Sequence, residues 1–138
     1  MLRIITLLNQ KNHYLEKFYA LNETEILNFA QDDYSNLDQF YHTREQILKT
    51  IRYVDSEIDG ASKLLTDVSI ELRKEISVNM EIKDQYVTRI LAQDLEILSC
   101  IETAKSAIIR ELQEIKRTKK AVGGYKSPTF VKRLDEEI

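Results

Sequence analysis

Three observations on these 138 residues point to an all-α fold: an elongated antiparallel helical hairpin or bundle of three to four long helices, with coiled-coil packing and a short C-terminal tail. Turn formers are scarce, with three Gly and one Pro in the whole chain, and only Gly60 lies before residue 123. An antiparallel sheet needs such residues about every ten positions. Apolar residues recur at alternating steps of three and four, the spacing that lines up one face of a helix. Charged residues make up 31% of the chain, with both signs interspersed and a net charge of −3. That pattern suits long solvated helices.

The first helix is expected over about 3–31, where Ile4, Leu8, Leu15, Phe18, Ile26 and Phe29 form a stripe widened by Leu7, Tyr14 and Leu21. Lys11, Asn22 and Glu25 interrupt it. Asp32-Asp33 marks the break, because aspartate there accepts backbone N–H bonds at the start of the next helix. The second helix, about 33–59, is sharper. Leu37, Phe40, Arg44, Ile47, Ile51, Val54 and Ile58 step by threes and fours, and Gly60 is expected to end the helix in a left-handed cap. Aromatic residues crowd these two segments (Tyr14, Phe18, Tyr19, Phe29, Tyr34, Phe40, Tyr41, Tyr53), so the thickest core is expected where they meet.

No Gly or Pro lies between Ala61 and Val122, which permits one unbroken helix. The pattern of Leu64, Leu65, Val68, Leu72 and Ile76 weakens at Ser77-Val78-Asn79-Met80, however. The reading is therefore a third helix over 61–78, a bend near Asn79, and a fourth helix over 83–122. That last segment carries a heptad seam: Val87, Leu91, Asp94, Leu98, Ile101, Lys105, Ile108, Leu112, Ile115, Lys119 and Val122. Its first half is expected to serve as core and its second half as a surface for a partner helix. Arg44, Asp94, Lys105 and Lys119 interrupt otherwise apolar seams, and their heads are expected to reach solvent rather than pair in the interior. Residues 1–122 thus form the helical bundle. Residues 123–138 form a flexible tail, since Gly123-Gly124 and Pro128 stop the helix. Phe130, Val131, Leu134 and Ile138 give that tail one apolar side, suited to a short helix when bound.

Several classes of function find no support in these residues. A carboxylate-bridged metal bundle uses Glu-x-x-His, but Gln10 precedes His13 and Gln39 precedes His42 at that spacing. No Gly-rich turn cradles a phosphate or an oxyanion, and Cys100 has no histidine near it in sequence; no enzyme, cofactor or metal is expected. The lone cysteine rules out an intrachain disulfide and suits a reducing compartment. With neither a signal peptide nor a membrane span in view, a cytoplasmic protein is expected. Lys116, Arg117, Lys119, Lys120 and Lys126 form a basic run. Cations gather at helix C-termini to offset the helix dipole, and few aromatics interleave here, so nucleic acid is not the expected partner.

The layout resembles the FlgN and FliT-type flagellar export chaperones. The paired helices from Leu7-Leu8 to Ile58, joined at Asp32-Asp33-Tyr34, are similar to that family's opening hairpin. The run Ile109-Arg110-Glu111-Leu112-Gln113-Glu114-Ile115-Lys116, continuing through Lys119-Lys120-Ala121-Val122 to Gly123-Gly124-Tyr125, is similar to its closing helix, and Phe130-Val131-Lys132-Arg133-Leu134-Asp135 to its tails. The chain departs from the family in lacking a glutamine- or asparagine-rich run near Asp94-Leu95. The resemblance implies a chaperone that holds helical terminal segments of hook–filament junction (hook-associated) proteins, prevents their premature assembly and delivers them to the type III export gate. It implies client binding at Ile101, Ile108, Leu112, Ile115 and Val122, with gate docking by Tyr125, Phe130 and Leu134. The alternative from the seam alone is a structural, self-associating coiled-coil protein without a client, in which a homodimer buries the stripe.

Overall fold

The computed structural model describes residues 2–121, and the described residues are all-helical, with no strand among them. They form α1 (Arg3–Ala30), α2 (Leu37–Lys63) and α3 (Ile70–Ala121). The chain divides into two units, Met1–Ile97 and Leu98–Ile138.

In the first unit α1 keeps one stripe straight through the residues that break its apolar pattern. Ile4, Leu8, Leu15, Phe18, Asn22, Glu25 and Phe29 are all buried, and Lys11 is half-buried. The end of α1 is capped by its own backbone. Asp32 takes the left-handed conformation (φ 55°), the Asp32 amide donates to the Phe29 carbonyl at 3.0 Å, and the Asp33 amide donates to the Asn28 carbonyl at 2.9 Å. Those paired bonds satisfy carbonyls that the helix end would otherwise leave open. Asp33 does not cap α2. Its carboxylate accepts from the Ser35 amide (3.0 Å) and hydroxyl (2.6 Å), which hold it below the ordinary aspartate range. The helix begins four residues later than expected, at Leu37.

α2 runs against α1. Arg3 pairs with Glu57 at 2.7 Å, Lys11 with Asp55 at 2.6 Å, and the Arg44 guanidinium lies 5.1 Å from the Phe18 ring centre. Phe40, Ile51 and Val54 are buried along the stripe read from the sequence. Gly60 does not end this helix. It lies inside α2, its φ is not positive, and the chain stays helical to Lys63. The turn comes instead at 64–69, where Asp67 is left-handed (φ 51°) and Ser69 opens α3 by accepting the Leu72 amide on its hydroxyl oxygen at 3.1 Å.

A separate 61–78 helix is not present, and α3 passes through Asn79 without a break in its helical backbone. The reason lies on α1. Asn12 Nδ2 donates to the Asn79 carbonyl at 3.1 Å and reaches Asn79 Oδ1 at 3.4 Å, while Asn79 Nδ2 donates to the Glu75 carbonyl one turn back at 2.9 Å. An asparagine whose polar groups are used in this way has no need to leave the helix.

Two clusters fill the first unit. One joins Ile4, Ile5 and Leu8 to Ile58, Ala61, Leu65, Leu72 and Ile76. The other joins Leu15, Phe18, Ile51 and Ile90, with Tyr19, Tyr86 and Val87 around them. The Tyr19 and Tyr86 rings meet edge-on at 6.3 Å, so α3 supplies an aromatic where the sequence placed the aromatic core on α1 and α2.

Candidate helix-docking face

The core-facing side of α3 differs from the seam read from the sequence. In the first unit Leu72, Ile76, Asn79, Lys83, Tyr86, Ile90, Gln93 and Ile97 are buried or half-buried, again at steps of four and three. The expected seam starts with Val87, Leu91 and Asp94, about one residue around the helix. Leu91 is 59% exposed, and Val87 and Asp94 only flank the core.

Hydrogen bonding explains this rotation. Asn22, fully buried on α1, donates from Nδ2 to Gln93 Oε1 and to Asp94 Oδ1, each at 3.2 Å. Gln93 Nε2 donates to the Tyr19 carbonyl at 3.2 Å and to Glu23 Oε1 at 2.8 Å. Arg44 grips Asp94 with two parallel bonds of 3.1 and 3.2 Å. Turning α3 to bury Leu91 would strand these polar groups, and a buried unpaired polar group costs about 1–3 kcal/mol. Arg44 and Asp94 therefore do not send their heads to solvent separately. They form a partly shielded ion pair that ties α2 to α3.

In the second unit the described residues are the last part of α3. Leu98, Ile101, Lys105, Ile108, Leu112, Ile115 and Lys119 share one face at steps of three and four. Leu98 is 55% exposed, Ile108 53% and Ile115 48%; Leu112 and Ile109 are exposed as well, and Ile101 is half-buried. Apolar side chains of this size, aligned over about 30 Å of helix, mark a surface suited to an interaction. Glu111, Glu114, Ile115, Thr118 and Lys119 line a shallow open depression on the same segment. Of the residues assigned to client binding, Ile101, Ile108, Leu112 and Ile115 thus share one helix face. Val122 and the gate-docking candidates Tyr125, Phe130 and Leu134 lie outside the described residues.

Among the described residues, no cluster of three or more His, Cys, Asp or Glu is placed to hold a metal ion. No described helix is long and apolar enough to cross a membrane. No protein-family model, curated protein or solved structure matches this chain.

The polar node at Asn22, Gln93, Asp94 and Arg44 escaped the sequence reading, which ranked faces by apolar count. A usable signal was present: Lys11, Asn22 and Glu25 on α1, and Asn79, Lys83 and Gln93 on α3, all fall in register with the buried apolar positions.

Proposed function

We propose that this protein is a helix-binding export chaperone of the FlgN and FliT type, built as an elongated antiparallel bundle with coiled-coil packing and acting in the cytoplasm. Its clients are helical terminal segments of flagellar hook-associated subunits, and its tail, through Tyr125, Phe130 and Leu134, docks them at the export gate. The observation that carries this reading is the exposed stripe of Leu98, Ile108, Leu112 and Ile115, with Ile101 beside it. A soluble helix seldom leaves such a row open without a partner, and an amphipathic helix laid along it covers the row with its own apolar side chains. Each side chain fully buried in this way contributes about 1.5–3 kcal/mol before the cost of association is subtracted, so capture depends on several of them being buried together.

The test is a double substitution, Ile108→Asp with Leu112→Asp, in the full chain. Co-purification of a hook-associated client from flagellated cells is expected to disappear, with helicity by circular dichroism nearly unchanged. Client capture by the doubly substituted chain at the parent level would refute the assignment of the face. A chain that self-associates through the stripe and captures no client supports the structural coiled-coil alternative instead.

A further inference from the structure

The charges along the 98–119 stripe bear on what covers it when no client is bound. Lys105 and Lys119 sit within the row, Glu102, Ile109 and Lys116 along one edge, and Ala104, Glu111 and Thr118 along the other. We propose that a second copy of this chain docks on the stripe in antiparallel orientation, with Ile108 opposite Leu112 and Lys105 opposite Ile115. The inference rests on the reading of the stripe as a helix-docking face and adds a specific occupant for it.

The register follows from comparing orientations. A parallel pair stacks Lys105 on Lys105 and Lys119 on Lys119 inside the seam, where like charges repel and are poorly solvated. The antiparallel pair places each lysine opposite an isoleucine: Lys105 against Ile115, and Lys119 against Ile101. Its centre holds Ile108 against Leu112, twice over by symmetry. Along one edge Ile109 meets Ile109, which uses an exposed apolar residue that lies outside the row. The same edge brings Glu102 alongside Lys116 at both ends; a parallel pair would set Glu111 beside Lys116 instead, so the seam lysines decide the orientation. Glu111 approaches Glu111 on the other edge, within one turn of Lys105 from the partner copy. Sliding one copy by a heptad puts Lys105 against Ile108 and loses both Glu102–Lys116 pairs. The arrangement is two-fold symmetric and closes, so it gives a dimer and not a filament.

The test uses the full chain with Cys100→Ser as the parent. Single Ile108→Cys and Leu112→Cys chains are oxidised separately and then as a mixture, and cross-linked dimer is read on a non-reducing gel. The antiparallel register brings Cα atoms of positions 108 and 112 close enough for a disulfide while keeping 108 from 108 and 112 from 112, so the mixture is expected to give about tenfold more dimer than either chain alone. Efficient cross-linking of each chain by itself means parallel pairing and overturns the proposal. Sedimentation of the unsubstituted chain at tens of micromolar is expected to show twice the 16.2 kDa of one chain. A monomer at every concentration also overturns it, while client capture still stands or falls on its own assay. If Ile108→Asp with Leu112→Asp leaves both the dimer and client capture intact, the docking face itself is wrong and both readings fall together.

Discussion

Gly60 shows how a single residue can be tolerated without being needed. It lies within α2 in right-handed helical backbone, and a Cβ placed there meets nothing within 4 Å. Glycine in a helix interior costs about 0.5–1 kcal/mol relative to alanine, because it has more freedom to lose on folding. Gly60→Ala is therefore expected to stabilise the protein by about that amount, read as a higher urea midpoint at unchanged slope. A loss of stability would mean that the position is constrained by something other than its own backbone. The left-handed residues at the two turns are aspartates, Asp32 and Asp67, rather than glycines. A search for turns by Gly and Pro alone passes over both, even though aspartate tolerates this conformation better than most residues.

The end of α1 and the start of α3 are set by local chemistry, and the helices of the first unit are placed by their buried stripes. The 64–69 turn has no Gly or Pro, yet Ser69 caps α3 and Glu71 places a negative charge in its first turn, near the positive end of the dipole. Ser69→Ala is expected to cost about 1 kcal/mol, measured by chemical denaturation, as one amide of the first turn exchanges its side-chain acceptor for water. Ser69→Asp should restore most of that loss, since its carboxylate accepts the same bond; failure of the rescue would show that the serine acts otherwise. The α2 stripe was readable because six of its seven expected positions are apolar, so pattern and packing coincide. On α1 and α3 the buried faces contain Asn12, Asn22, Glu25, Asn79 and Gln93, and apolar periodicity alone underweights such faces.

At the scale of the molecule, the first unit is held in register as much by polar matching as by apolar area. Leu91 on α3 is open to solvent, while Gln93 two positions on is buried. A core chosen for apolar area alone would reverse that. The Arg44–Asp94 pair, with both side chains about three-quarters shielded, is the contact most suited to measurement. A double-mutant cycle with Arg44→Met and Asp94→Leu is expected to give a coupling of about 1 kcal/mol, with each single substitution worse than the double relative to additivity. Raising the salt concentration should weaken the coupling only modestly, because partial burial limits screening. A coupling near zero would leave the Asn22–Gln93 bonds to set the register alone.

Composition and periodicity by themselves determined the helical class, the α1 and α2 spans to within a few residues, the stripe of α2 and the row from Leu98 to Lys119. These depend on local spacing, and spacing is a property of the chain alone. The orientation of α3 in the first unit, its continuity through Asn79 and the turn at 64–69 were decided only by tertiary structure. An asparagine, a glutamine or an aspartate changes from a helix interruption to a buried contact when a partner on another helix comes within about 3 Å to share its hydrogen bonds.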